Sequence, residues 1–347
     1  MKQDPYGRLE KTEEQQPIKV VANPVEVALS AHKLWLPVSE QFRKGARDYL
    51  PYVNIVYDEA ARLLKPYAKA FGKLDDGQLE AILSGVETEK DDWNGLFLSA
   101  LLNETALQML SGKFECNEMG YKLAAGKLLI VQPDSKIKFL GTRAAGMIVN
   151  YGSALYIGYS AVGGVQINCY ARPESRLVGG MAADAQGGVH ITYGSNLYLG
   201  HRSTGGLLLN CGEIDYIGKL AANVVFGNFG TVTNFGSDDG FRVNLDKRVM
   251  LGHAAGSGTL IDWGRWRKQV WHDNHKVNRS GFKRAQPLVD SLAAKLTEVA
   301  MLKDELLGGS KNYHDSKLVA NVIRGCDWAG LESEIAGMAK KIEEAVK

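Results

Sequence analysis

Few residues of this sequence combine the types and the spacing that metal binding requires. His272 and His275 flank Asp273. Two histidines three residues apart on a helix share one face, which is the beginning of a metal site. No third ligand is spaced nearby, so we predict a solvated histidine pair and no bound metal.

Catalytic motifs are equally scarce. The sequence has no Gly-x-Ser-x-Gly elbow and no glycine-rich phosphate loop ending in Lys-Ser or Lys-Thr. Asp238 and Asp239 are expected near Asp215 on the side of the repeat described below, and paired carboxylates can perform acid–base chemistry. An enzyme is therefore the less favoured alternative, and we predict no catalytic residue and no cofactor.

One cluster of the sequence alternates basic and aromatic side chains. It contains Trp263, Arg265, Trp266, Arg267 and Trp271 and extends to residue 284. Guanidinium and indole groups can contact phosphates and stack on bases, so a nucleic acid or another anionic partner is one alternative. We favour the interpretation that the tryptophans close the end of the preceding domain while the arginines face water. The net charge of +2 supplies no global field that would demand a polyanion.

The sequence also bears on the compartment. Its first residues lack the apolar core of a signal peptide, and no run approaches the roughly 18 apolar residues of a membrane span. The four cysteines are far apart and form no Cys-x-x-Cys pair. We expect a cytoplasmic protein that does not enter a membrane.

The element that must position these residues is an internal repeat over residues 126–264. Three six-residue blocks that each end in glycine, such as residues 189–194, 195–200 and 201–206, form an eighteen-residue unit. Two steps break this phase, a longer one around Arg172 and a shorter one at the end of the repeat. The phase gives about eight coils, which begin at Leu129, Met147, Val165, Val189, Leu207, Val225, Val243 and Thr259.

The fourth position of these coils is polar throughout the repeat. In a stack of parallel coils, residues at one position lie above one another about 4.8 Å apart, and their amides can bond along the stack. We therefore predict a ladder of asparagine side chains, formed by Asn150, Asn168, Asn210 and Asn228.

The repeat predicts an α+β protein built on a single-stranded parallel β-solenoid. An antiparallel sandwich is the alternative, but it does not require an eighteen-residue phase. Six-residue blocks are also typical of the left-handed hexapeptide helix of acyltransferases. Large residues such as Ile191 and Leu197 occupy positions where that helix has small ones, so we expect right-handed winding.

The alternation along each coil predicts which side chains face inward. Positions one, three and five are mostly apolar, and we expect them to form the solenoid interior. The second position, which should then face outward, is apolar as well, so a helix or a neighbouring subunit should cover it. The residues of this candidate interface are Ile148, Leu208, Phe226 and Leu260, together with Trp263, Arg265, Trp266, Arg267 and Trp271.

The glycine pattern resembles a known domain. The run from Thr204 to Gly218 and the Gly-Gly pairs at Gly163 and Gly187 are similar to the GXGXG β-helix domain. That domain closes the large subunit of glutamate synthase and recurs in one of the subunits of formylmethanofuran dehydrogenase. The resemblance covers residues 126–264 and implies a structural spacer and interface without catalytic residues.

The flanks of the repeat differ from it in composition. Residues 1–23 are polar and charged, as expected of a flexible arm, and residues 24–125 have a helical pattern. The solenoid follows at 126–264. Residues 265–347 combine the basic and aromatic linker with helices whose apolar stripes should pack on the chain itself.

These observations favour a non-catalytic structural or assembly protein. Its solenoid would be a rigid rod that scaffolds self-association or the binding of partner subunits, and a homo-oligomer or a larger assembly is expected. One alternative is an enzyme or a ligand-binding protein with its site where helices meet the solenoid. The other is binding of nucleic acid or an anionic partner through residues 263–284.

Overall fold

The computed structural model of the protein describes residues 23–45, 49–71, 74–87, 91–170, 179–218, 220–235, 239–245, 258–263, 268–273, 275–307 and 315–347. The arm predicted over residues 1–23 falls almost wholly outside these ranges. The longer coil connection around Arg172 also lies outside them.

Four helices form the N-terminal domain. They are α1 (Pro24–Gly45), α2 (Tyr49–Leu64), α3 (Asp76–Glu87) and α4 (Asn94–Glu104), with a 3-10 helix at Lys65–Phe71. Asp75 caps α3, because its carboxylate accepts a hydrogen bond from the Gln78 amide at 2.8 Å while the Gln78 side chain accepts one from the Asp75 amide at 3.2 Å. No helix in the described part of the chain is long and apolar enough to cross a membrane.

A parallel β-solenoid of about seven turns follows, as the repeat predicts. Alternate strands build an eleven-stranded and a seven-stranded sheet, which lie on opposite sides of a shared interior. The strands are β1 (Met109–Gly112), β2 (Glu115–Met119), β3 (Leu128–Val131), β4 (Lys136–Leu140), β5 (Met147–Asn150), β6 (Ser153–Ile157), β7 (Val165–Asn168), β8 (Gly180–Met181), β9 (Val189–Thr192), β10 (Ser195–Leu199), β11 (Leu207–Asn210), β12 (Glu213–Ile217), β13 (Ala222–Asn228), β14 (Thr231–Phe235), β15 (Asp239–Asn244), β16 (Thr259–Asp262), β17 (Gln269–His272) and β18 (His275–Lys276).

The predicted start of the solenoid at residue 126 differs from the structure, whereas the predicted end at residue 264 lies close to the end of the last parallel strand, β16, at Asp262. The first strands, β1 and β2, precede residue 126, so the solenoid begins at Met109. At the other end, β17 pairs antiparallel with β16 and forms a hairpin with β18, where a linker was expected. This reversal ends the parallel stacking of the eleven-stranded sheet.

Four steps of the eleven-stranded sheet depart from eighteen residues, namely those from β1 to β3, β3 to β5, β7 to β9 and β13 to β15. The coil between β3 and β5 and the coil between β13 and β15 change the pairing that the phase predicts. Leu128, rather than Leu129, pairs with Met147, because the first of these coils has one residue more. Phe241, rather than Val243, pairs with Val225, because the coil before β15 is two residues shorter and contains a register shift.

The prediction of which positions face inward is wrong. In the four-residue strands β3, β5, β7, β9 and β11 of the eleven-stranded sheet, the second and fourth residues face the solenoid interior, and the first and third face outward. The candidate interface residues Ile148, Leu208 and Phe226 are fully buried in the interior, and Leu260 is also buried. They therefore form no docking surface in this fold. Alternation alone could not settle the direction, because both faces of this sheet are apolar.

The interior of the solenoid is continuous with the core of the N-terminal helices. Leu129, Ile148 and Phe226 belong to the same buried cluster as Trp35 and Phe97 of α1 and α4. The helical domain therefore closes the N-terminal end of the solenoid and covers strand edges that would otherwise bind other chains.

The outward face of the eleven-stranded sheet is covered by three C-terminal helices. They are α5 (Arg279–Leu307), α6 (Ser316–Gly325) and α7 (Trp328–Val346). Two buried tyrosines, each directly after a strand, fix α5 on the sheet. The Tyr151 hydroxyl donates to the Leu306 carbonyl at 3.1 Å, and the Tyr193 hydroxyl donates to the Val299 carbonyl at 3.3 Å.

The structure places the four asparagines of the predicted ladder in one column. Asn150 donates to Asn168 at 3.0 Å, and Asn210 donates to Asn228 at 2.8 Å. Thr192 occupies the same column between Asn168 and Asn210. Asn228 donates a hydrogen bond to Asn244 at 3.0 Å. The eighteen-residue phase predicts Asp246 at this position of the ladder, and Asp246 lies outside the described residues.

Polar side chains interrupt the apolar interior column. His190 is fully buried, and its Nε2 lies 3.2 Å from the Gly187 carbonyl oxygen. Burial lowers the pKa of His190 to about 4 from its ordinary value near 6.5. The folded chain therefore holds this ring neutral at pH values at which the unfolded chain protonates it.

We predict that this ring makes the fold sensitive to acid. The contribution of His190 to the unfolding free energy is fully present above about pH 6.5. It is lost as the pH falls toward 4, by roughly 3 kcal/mol in total. His190→Leu should flatten the dependence of the unfolding free energy on pH over this window, as measured by urea denaturation. The exposed His275→Leu is the matched control. Equal pH slopes for His190→Leu and wild type would contradict this interpretation.

Candidate functional site

One face of the solenoid is left open by the helices. It is the outward side of the seven-stranded sheet, which we call the open face. Residues of β6, β10 and β12 alternate between buried positions that face the interior and partly or fully exposed positions that face outward. Leu155 and Tyr216, which are 36% and 39% exposed, lie on this side.

A groove crosses the open face where it meets the N-terminal helices. Asp92, before α4, and Glu115, Lys136, Lys138 and Leu155 of the sheet line a space of about 640 Å³. A second space of about 460 Å³, between α4 and β2, shares Asp92 and Glu115 with it. We call the two together the junction groove, because they lie where helix and solenoid meet.

Buried polar contacts fix the helical wall of the junction groove. The Asp91 carboxylate accepts hydrogen bonds from the Trp93 amide at 2.8 Å and from the Ser39 hydroxyl. The Asn117 amide donates to the Asp92 carbonyl at 2.8 Å. These contacts hold the segment before α4 against β2, so the groove is a rigid feature of the fold.

Charges of both signs alternate along the groove. Lys136 lies 3.7 Å from Glu115, and Lys113 lies 3.9 Å from Asp134. All four side chains are largely exposed, so these pairs add little to stability. Their effect is to leave the groove polar and without a dominant charge.

The one thiol that lines the groove is not a nucleophile at neutral pH. Cys116 is buried, and burial, reinforced by the nearby carboxylate of Glu118, raises the pKa of its thiol well above the usual range. The cysteine therefore contributes to packing and not to chemistry.

Stacked rings run along the open face beside the groove. Phe139 and Tyr156 stack with ring centroids 5.2 Å apart, and Tyr198 and Tyr216 stack at 5.3 Å. These rings occupy one column of the sheet, which we call the ring column. The ring column is not among the predicted features, although its members recur close to the eighteen-residue phase that revealed the asparagine ladder.

The predicted basic and aromatic cluster is partly outside the described residues, which exclude Arg265, Trp266 and Arg267. Trp263 is buried, and its indole N–H donates to Asp290 of α5 at 2.9 Å. Lys268 lies over the Trp263 ring and pairs with the same aspartate. These residues hold helix and solenoid together and present no free stacking surface.

Trp271 has a different position from Trp263. It is half-buried in β17 opposite Leu260, at the end of the solenoid. This placement agrees with the favoured interpretation that tryptophans close this end.

Within the described ranges, the structure does not bring the candidate chemical residues into a common site. His272 and His275 oppose each other in the β17–β18 hairpin, and His272 Nδ1 lies 3.0 Å from the Thr259 hydroxyl. Asp238 lies outside the described residues, as does the side chain of Asp239. Among the residues that can be described, no three potential ligands are grouped around a metal site.

Comparison of the chain with protein-family models, with curated proteins and with solved structures finds no match.

We predict that the junction groove depends on the close approach of α4 to β2 at Gly95. A Cβ at Gly95 would overlap the Glu118 carbonyl oxygen and approach Cys116 Sγ. Gly95→Ala should therefore lower the unfolding free energy by about 3 kcal/mol.

The exposed helical Gly337 provides the matched control, because a Cβ added there would meet nothing within 4 Å. Gly337→Ala should raise stability by roughly 0.5–1 kcal/mol. Chemical denaturation of the three proteins checks both values. A Gly95→Ala protein as stable as wild type would show that the helix does not pack this closely.

Proposed function

We propose that this protein is a non-catalytic binding scaffold and that the open face is its recognition surface. The observation that carries the proposal is that helices cover the outward side of the eleven-stranded sheet but leave that of the seven-stranded sheet exposed. On that face a polar groove and a column of rings lie side by side. Regular surfaces of this kind are suited to an extended partner.

The proposal requires a rigid surface, and packing behind the sheet supports this. The inward residues of the seven-stranded sheet, such as Ile137, Ile157 and Ile214, belong to the core that also contains the N-terminal helices. Binding groups on strands backed by such a core are held in place before the ligand arrives, which lowers the entropy cost of binding.

Charge and ring content favour a neutral, hydroxyl-rich chain as the ligand. Asp92, Glu115 and Asp134 in the junction groove would repel a polyanion, and Lys136 and Lys138 would repel a polycation. Hydroxyl groups can bond to side chains of both signs, and the aliphatic C–H faces of a sugar pack on aromatic rings. We therefore propose a neutral glycan as the partner.

A test of this function uses a fluorescently labelled protein on an array of neutral and acidic oligosaccharides. Wild type should bind a subset of the neutral glycans. Leu155→Glu combined with Lys138→Glu should weaken this binding at least about tenfold, because it adds negative charge and removes apolar contact at the groove. Met301→Glu, an exposed position on α5, is the matched control and should bind as wild type does.

Two results would contradict the proposal. One is a wild-type protein that binds no glycan, and the other is equal binding by the groove variant and the control. Light scattering of the same variants tests self-association, the second candidate, which the exposed Leu155 and Tyr216 favour. An oligomer that the groove variant dissociates would mean that the open face binds a second copy of this chain.

The proposal agrees with the resemblance to the GXGXG domain, where the solenoid serves as a spacer and an interface. A homo-oligomer and a cytoplasmic location stay predictions. The four free cysteines are compatible with a reducing compartment.

A further inference from the structure

The ring column is interrupted at one coil of the solenoid. Gly180 of β8 lies between Tyr156 and Tyr198 in the strand register, and the two coils on either side of it have an aromatic residue in this column. An adjacent corner column is interrupted at the same coil, because Ala183 lies between Tyr159 and His201. The place of these two missing rings, with Gly180 and Ala183 buried at its base, is what we call the notch.

The walls of the notch are the faces of Tyr156 and Tyr198 that are turned away from their stacking partners. Tyr156 stacks on Phe139 through the ring face that is turned away from Gly180. Tyr198 likewise stacks on Tyr216 through the face that is turned away from Gly180. The opposite faces of these two tyrosines are directed toward Gly180. Because two coil steps separate them, the walls are about 9.6 Å apart, and a group midway lies about 4.8 Å from each.

The backbone does not require a glycine at position 180. A Cβ at Gly180 would meet the Tyr198 Cβ at 3.5 Å and the Ala183 Cβ at 3.9 Å, which are ordinary contacts. At the preceding Gly179, by contrast, a Cβ would overlap the Leu155 carbonyl oxygen. The close packing of the fold explains Gly179, whereas Gly180 itself contributes no side chain to the notch.

The rim of the notch is polar. Arg202 donates to Asp184 at 2.7 Å. The side chains of Asp184 and Arg202 remain 25% and 53% exposed. A carboxylate and a guanidinium are therefore available to further hydrogen bonds, and their pairing leaves the rim without net charge.

We infer that the notch binds one pyranose ring of a neutral sugar. This inference rests on the proposed function, because the notch would be the subsite that selects the sugar within the bound glycan. A puckered ring with C–H bonds on both faces is thicker than an aromatic ring and can contact both walls across this spacing. Its hydroxyls can bond to Asp184 and Arg202, as a polar rim around an apolar slot requires. A nucleotide would need cations for its phosphate, whereas the rim arginine is already paired.

The test measures binding of the methyl glycosides of glucose, galactose and mannose by saturation-transfer difference NMR. Wild type should saturate the C–H protons of at least one glycoside. Gly180→Tyr supplies the missing ring, should fold with an unchanged or higher Tm, and should weaken binding at least about tenfold. The matched control, Gly180→Ala, adds only a methyl group and should retain binding within about threefold.

Each remaining outcome of the test overturns the inference in a distinguishable way. Equal sugar binding by wild type and Gly180→Tyr would place the sugar elsewhere and leave the proposed function intact. Binding of phenol or indole without binding of any glycoside would assign the notch to an aromatic side chain. Absence of any glycoside signal would refute the subsite, and the glycan array would then decide the proposed function separately. Should Gly180→Tyr fail to fold, Tyr198→Ala, which removes one wall, must lower binding for the inference to stand.

Discussion

The structure depends on one constraint, which is that the eleven-stranded sheet is apolar on both faces and must be covered on both. The solenoid covers one face itself, because its second and fourth strand positions pack inward against the seven-stranded sheet. The other face has no partner within the solenoid. Helices α5 to α7 provide it, and the hydroxyls of Tyr151 and Tyr193 tie α5 to the sheet. The C-terminal helices are therefore required by the strands that precede them.

This constraint also determines where a partner can bind. The N-terminal helices close one end of the interior, and the C-terminal helices occupy one side, so the open face is the extended solenoid surface that remains. Its outward residues are mostly polar or aromatic, with the aliphatic Leu155 among them, which lets it stay exposed. The junction groove and the notch both lie on this face. The covered sheet thus provides stability, and the exposed sheet provides the surface on which we place recognition.

The sequence predicts the repeat well because parallel stacking demands identical spacing. Asn150, Asn168, Asn210 and Asn228 share a phase, and that phase is sufficient to place them in one column. The inward direction could not be predicted in the same way, since a sheet covered on both sides has apolar residues on both faces. A single additional residue in the coil before Met147 was enough to exchange Leu128 and Leu129 between the two faces. The ring column was visible in the sequence, but its meaning depends on which face the helices leave exposed.

The central claim is that the chain's own helices cover one sheet and leave the other exposed, and hydroxyl-radical footprinting of its tyrosines tests this most directly. The method compares one residue type on both faces of the same native protein. Tyr151 and Tyr193, which are 6% and 5% exposed beneath the C-terminal helices, should be protected, whereas Tyr216, 39% exposed on the open face, should be oxidised rapidly. Oxidation of Tyr151 and Tyr193 at the rate of Tyr216 would contradict the account.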